Sequence, residues 1–175
     1  MKGLEEFVTE KLKISKIETN YKPKTKEELV DIINREIEAN GPNCSLNHID
    51  VSNIDNMSDL FYHSDFNGDI SEWDVSNVKD MRGMFCDSNF NGDISNWDVS
   101  NVEKMERMFY GSKFNGDISN WDVSNVRDMF CMFAYSKFNG DISNWNVSDE
   151  TTQYMIFNNC PLEKNPPKWY KEYEE

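Results

Sequence analysis

Lysine and arginine are scarce in this chain: 18 stand against 32 acidic residues in 175, a formal net charge of -14. A protein that grips phosphate backbones needs the opposite balance, so direct nucleic-acid binding is not expected. No apolar stretch approaches the roughly 20 residues of a membrane helix. The four cysteines (Cys44, Cys86, Cys131, Cys160) lie far apart, with no Cys-x-x-Cys pair and no histidine at zinc spacing. Small disulfide-stapled scaffolds are denser in cysteine, which favours a reduced, intracellular setting. Behind Met1-Lys2-Gly3 the chain turns acidic at Glu5 and Glu6, without the apolar core of a signal peptide or a lipidation pattern. A cytoplasmic location is the expectation, and a surface location requires an export segment that this sequence does not show. At 38% hydrophobic residues the composition borders on that of disordered chains. The 13% of aromatics argues for an ordered core instead.

What the chain does have is a repeat. Phe-Asn-Gly-Asp-Ile begins at Phe66, Phe90, Phe114 and Phe138, a step of 24 residues. Trp73, Trp97, Trp121 and Trp145 keep that step, as do Phe61, Phe85, Phe109, Phe133 and Phe157. Asp-Val-Ser-Asn-Val and paired methionines fill the interval, and a degenerate copy through Leu46, Val51, Met57 and Phe61 precedes the series. Within a copy, Ile70-x-x-Trp73-x-Val75 reads as a short strand, and Val78, Met81, Met84 and Phe85 as one face of a short helix. Ser76, Ser100, Ser124 and Ser148 stand where a helix cap belongs. Each Asn-Gly step reads as the turn into the next strand. One copy cannot bury its apolar face alone, so neighbours must stack. The period thus predicts an α/β repeat solenoid, with a parallel strand ladder on one face and short helices on the other.

The unit Phe-Asn-Gly-Asp-Ile-Ser-Asn-Trp-Asp-Val-Ser-Asn-Val, closing on Met-x-x-Met-Phe, resembles BspA-like leucine-rich repeats of the mycoplasma surface-protein type. The resemblance covers about residues 42–161. It implies a protein-interaction module, in relatives that are mostly bacterial surface proteins, with similar arrays in phage and mobile elements.

Residues 1–41 have a different texture and read as a helical N-terminal cap. Leu4, Phe7, Val8 and Leu12 mark a first helix, and Thr25 with Glu28 opens a second through Leu29, Ile32, Ile33 and Ile37. Asn40-Gly41-Pro42 ends it. Residues 162–175 read as a C-terminal cap, in which Trp169, Tyr170 and Tyr173 close the last coil.

Function is expected on the array, since residues 42–161 hold 7 Lys and Arg against 19 Asp and Glu. On a leucine-rich-repeat mapping, Glu72, Asn96, Asn120 and Asn144 form one outward column. Asp74, Asp98, Asp122 and Asn146 form the next, preceded by Asp50. Like charges one strand apart, about 4.8 Å, repel by roughly 0.9 kcal/mol in water. A basic protein partner or calcium would relieve that; alternatively each Asp simply accepts backbone N–H bonds in its own turn. Asp69, Asp93, Asp117 and Asp141 read as turn chemistry. Phe130 and Tyr135 occupy positions that vary between copies, and they are expected to be exposed as an interaction patch or an edge of the C-terminal cap. Cys131, beside Phe130, is expected to be an accessible thiol. His48 and His63 stand in no base–nucleophile arrangement, and residues copied into every coil are poor evidence for one active site. The sequence therefore points to a non-enzymatic module with no cofactor and no metal, binding a protein with a basic surface. One version is a phage or mobile-element inhibitor of a nucleic-acid-binding host protein; the alternative is a bacterial surface or adhesion repeat protein.

Overall fold

The computed structural model describes residues 21–171. The expected first helix through Leu4, Phe7, Val8 and Leu12, and Tyr173 at the far end, lie outside these residues. Helix α1 spans Lys26–Asn40. Thr25 Oγ1 accepts the Glu28 N–H at 3.2 Å, while Glu28 Oε2 accepts the Lys24 N–H at 2.7 Å. Two backbone donors that the first turn cannot satisfy are thereby paired. Leu29, Ile32 and Ile33 are buried against the first coil of the array, and the Gly41 N–H closes the helix on Ile37 O at 2.8 Å.

Beyond Gly41 the expected α/β solenoid is not what forms. Among the described residues there is one α-helix, one 3-10 turn at Pro161–Lys164, and no sheet. Parallel pairing is confined to isolated bridges: Tyr21 with Ile49 and, stepping by one repeat, Ser45 with Asp69, Asn56 with Asp80, Asp80 with Lys104, Lys104 with Asp128, and Asp128 with Thr152. The array is a stack of coils built from turns.

Both misread segments have a local cause. Ile70-x-x-Trp73-x-Val75 is a pair of turns, not a strand: the Trp73 N–H returns to Ile70 O at 3.2 Å, and the Val78 N–H to Val75 O at 2.9 Å. Two tight turns bring Ile, Trp and Val to the same side as a strand would. The segment read as a helix is a run of turns, Met84 to Met81, Cys86 to Gly83 and Ser88 to Phe85. Gly83 (φ 59) and Asp87 (φ 52) are left-handed, which no α-helix tolerates. Every copy repeats this, with Arg107, Cys131, Tyr135, Met155 and Asn159 at φ 53 to 58. The expected cap serines therefore cap no helix; the Ser100 N–H and hydroxyl both donate to Asp98 Oδ1. Nor does Asn-Gly make a turn: residues 66–68 carry none. Glycine is needed there because a Cβ on Gly92 would sit 2.8 Å from the Phe90 ring and 3.1 Å from Gly68 O of the coil before.

Alternate residues of the turn run point their N–H groups at the next coil. Met81, Gly83, Phe85 and Asp87 donate to the carbonyls of Lys104, Glu106, Met108 and Tyr110 at 2.7 to 2.9 Å. Between those ladders the core is aromatic. Phe61, Phe85, Phe109, Phe133 and Phe157 stack at centroid steps of 5.6, 5.7, 5.7 and 6.0 Å. A second column runs through Phe66, Phe90, Phe114 and Phe138 at 6.1 to 6.3 Å. All of these rings are buried, and aromatic burial of this kind dominates core energetics.

Candidate interaction surface

Each coil presents two arms to solvent. One runs from Phe-Asn-Gly to the second Ser-Asn (residues 66–77, 90–101, 114–125 and 138–149). The other is the turn arm (78–89, 102–113, 126–137 and 150–161). The first arm holds nine acids and no Lys or Arg; the turn arm holds six acids and seven Lys or Arg. Column by column the contrast sharpens. On the turn arm, two columns of residues one repeat apart alternate in sign, Asp55, Lys79, Glu103 and Arg127, and Asp80, Lys104 and Asp128, while Lys113 and Lys137 share one. On the acidic arm, Asp69, Asp93, Asp117 and Asp141 share one sign, and so do Asp50, Asp74, Asp98 and Asp122.

Glu72, Asp74, Asn96, Asp98, Asn120, Asp122, Asn144 and Asn146 are all exposed. They stand on turns, not on a sheet face. Glu72, Asn96, Asn120 and Asn144 lie inside the Ile-to-Trp turns, and the Glu72 N–H donates to Asn47 Oδ1 of the coil before at 3.1 Å. Each aspartate of the next column accepts from the serine two residues on. Ser76 gives Asp74 Oδ1 its N–H at 3.1 Å and its hydroxyl at 2.6 Å, and Ser124 gives Asp122 its N–H at 3.0 Å. Asn146 stands where the last copy drops the charge.

These bonds set the charge state. Ser100 and Ser124 hold Asp98 and Asp122 below the usual carboxylate range, chiefly through their hydroxyl and N–H donation. The N–H groups of Ser71, Ser95, Ser119 and Ser143 do the same for Asp69, Asp93, Asp117 and Asp141. Asp93 is pushed the other way by Asp69 and Asp117, yet its net shift is still downward. Local hydrogen bonding outweighs repulsion along the column. At the N-terminal end, Asp50 pairs with Lys22 at 2.7 Å and is held at about 2 by that bond and by Ser52. Among the described residues no group of three His, Cys, Asp or Glu is placed to hold a metal ion.

The turn arm carries the exposed apolar residues Tyr62, Tyr135, Tyr154 and Met155. Phe130 is not exposed as expected but half-buried, 6.0 Å from the Tyr154 ring on one side and 5.6 Å from the Arg107 guanidinium on the other. Arg107 also lies 5.7 Å from the Tyr110 ring, which is 5.4 Å from Tyr135. Phe130 and Tyr135 thus belong to one chain of contacting groups that runs from Tyr154 to Tyr135. Tyr62, Tyr154 and Met155 were not anticipated. Their signal was the copy-to-copy variation of the slots they occupy, which the degenerate end copies obscured.

The Cys131 thiol is a second correction. It is buried rather than accessible, and desolvation raises its pKa. Cys86 is pushed up to about 12 by burial and by Asp87, so neither thiol is a ready nucleophile. The histidines flank acids: His48 lies 3.6 Å from Glu36 and His63 3.7 Å from Asp87. An open groove of about 600 Å³ crosses the turn arm between Tyr62, Arg82, Cys86, Asp87, Arg107 and Tyr110.

No helix among the described residues is long and apolar enough to cross a membrane. No curated protein and no solved structure matches the chain. A family description does match, over residues 33–134 and again over residues 87–170, in overlapping registers as expected of a repeated unit. The matched region takes in both arms of the coils and the C-terminal half of helix α1, and it supports the resemblance drawn from the repeat at the level of the family. The chain belongs to the family described as Mycoplasma protein of unknown function, DUF285.

Proposed function

We propose that the protein is a non-enzymatic binding module whose acidic arm receives a protein with a basic surface. One observation carries this reading: the turn arm mixes both signs and alternates them in columns such as Asp55, Lys79, Glu103 and Arg127, whereas the acidic arm keeps carboxylates in single-sign columns without one Lys or Arg. Stacking alone does not require the repulsive arrangement, because columns of the other arm such as Asp55, Lys79, Glu103 and Arg127 avoid it. The aspartates stay ionised through the whole physiological range, since their serine donors depress their pKa. A basic partner gains long-range steering from such a field, and the attraction weakens with salt. A protein that normally binds nucleic acid is the sharpest form of this partner. The family match is compatible with a second reading, a surface repeat protein.

Affinity capture from a host extract at low and high salt tests the proposal, with wild type beside an Asp74→Lys, Asp98→Lys, Asp122→Lys triple variant. Salt-sensitive capture of a basic protein, lost in the triple variant, is expected. Capture that ignores both salt and the charge reversals sinks the acidic-arm reading.

A further inference from the structure

Asn-Gly occurs five times in the chain, at Asn40, Asn67, Asn91, Asn115 and Asn139. In this pair a carboxamide is most open to attack by its own backbone, because glycine has no Cβ to shield its nitrogen. The last four pairs share one context, Phe-Asn-Gly-Asp-Ile-Ser, so their local sequence gives them one intrinsic reactivity. Any difference between them comes from the fold. All four asparagines are exposed. Among the described residues no acceptor meets the N–H of Gly68, Gly92, Gly116 or Gly140.

What separates the four is the ladder that links them. Asn67, Asn91 and Asn115 each accept, through Oδ1, the N–H of the asparagine one coil on, at 2.8, 2.7 and 2.7 Å. Asn139 gives its N–H to that ladder, and among the described residues no donor meets its own carboxamide oxygen. The residue one repeat on is Glu163, in the 3-10 turn Pro161–Lys164, and its N–H donates instead to Cys160 O at 3.1 Å. Asn139 and Gly140 line an open hollow of about 630 Å³ against Leu162, Pro166 and Lys168, so water reaches both. Asn40 is closed off in another way. The Gly41 N–H is committed to Ile37 O at 2.8 Å, and Asn40 Nδ2 donates to Glu36 Oε2 at 3.0 Å.

We infer that Asn139 is a site of self-modification, converted by water to aspartate and isoaspartate, while the three laddered asparagines are spared. The Gly140 nitrogen gives its proton to hydroxide and attacks Asn139 Cγ. The new N–C bond forms as the Cγ–Nδ2 bond breaks, and ammonia leaves after taking a proton from water, which restores the hydroxide. A water molecule then opens the cyclic imide at either carbonyl, and no oxidant or reductant is needed. A laddered carboxamide has to release the N–H of the next coil before it swings onto its own glycine. Asn139 has no such bond to give up. The product places a new carboxylate two residues from Asp141, so the acidic arm gains charge with age at its C-terminal end. This chemistry stands whether or not a partner binds that arm.

Peptide mapping by mass spectrometry of the full chain, held at mildly alkaline pH, tests the inference. Asn139 should deamidate at least about fivefold faster than Asn67, Asn91 or Asn115, the factor that one hydrogen bond withholds. In guanidinium chloride the four rates should converge to within about twofold. Asn139→Gln should remove the fast phase of ammonia release, since glutamine has to close a larger ring. Four equal rates in the folded chain, a laddered site faster than Asn139, or a fast phase that survives Asn139→Gln overturns the inference. So does a ranking that persists in guanidinium chloride, which would trace it to local sequence.

Discussion

On the turn arm, neighbouring coils are joined by backbone: four N–H groups per coil reach the next coil's carbonyls. On the acidic arm they are joined by side chains. Trp97, Trp121 and Trp145 each donate through Nε1 to the Ile carbonyl of the coil before, at 3.0 to 3.1 Å. Asn101 and Asn125 reach Ser76 O and Ser100 O, and Asn115 and Asn139 extend a further ladder through Asn91 and Asn115. The difference explains what is invariant and what drifts. The acidic arm needs Trp, Asn, Asp and Ser at fixed places, so it repeats almost letter for letter. The turn arm holds its ladder with atoms that every residue owns, and its outward side chains are free to become Arg, Glu, Phe or Tyr.

The core shared by both arms sets the upper bound on any substitution. Phe109→Ala removes a ring packed 4.4 Å from Phe114 and 5.7 Å from both Phe85 and Phe133. A loss of about 3–5 kcal/mol is expected in urea unfolding, the usual range for a buried phenylalanine. Below it comes a test of the acidic-arm joints. Trp121→Phe keeps an aromatic ring but leaves Ile94 O without its indole donor, for about 2 kcal/mol. A cost under about 0.5 kcal/mol would mean that the indole bonds do not join the coils, and the comparison would fail on that side.

On the turn arm the expected effects come from backbone conformation. Gly111→Ala puts a Cβ at φ 61, into Asp87 Oδ1, and should cost about 1–2 kcal/mol. Met155→Gly runs the other way. Relieving the left-handed residue at φ 56 returns about 1–2 kcal/mol against about 0.4–1 of added chain entropy, a net gain of roughly 0.5 kcal/mol. Thermal melts of the two variants should therefore move in opposite directions. Equal losses would show that the left-handed positions carry no strain.

How legible was this in the sequence? The period, the buried columns and helix α1 were, because Phe, Trp and Met recur at one step and Thr25 with Glu28 is a local signal. The coil's internal form was not. Ile70, Trp73 and Val75 face inward from two tight turns as readily as from a strand. Met81, Met84 and Phe85 face inward from successive turns as readily as from a helix. Only the backbone conformation separates these readings; its sign is marked in one slot by His63, Asp87, Gly111 and Asn159, but not by Tyr135 there or by Arg107, Cys131 and Met155 in the other. The acidic columns were legible as residues and their exposure follows the repeat. The burial of Phe130 was not, since it depends on Tyr154 and Arg107 arriving from neighbouring coils.

The smallest expected effect concerns acid. Asp98 and Asp122 titrate below their unfolded value of about 3.9, because Ser100 and Ser124 stabilise the ionised form. Their contribution is complete above about pH 4 and disappears as pH falls through the lower folded values. Repulsion along the column acts in the opposite sense, since protonation would relieve it. The direction at Asp93, downward despite Asp69 and Asp117, says the serine bonds win. Melting temperature should accordingly fall between about pH 4 and pH 2. The Asp98→Asn, Asp122→Asn double variant should start lower at neutral pH and fall less steeply over that range, because asparagine keeps an acceptor for the serine but lacks the ionised carboxylate and its titration. A melting temperature that rises on acidification would reverse the balance and make the acidic arm a strained charge ladder.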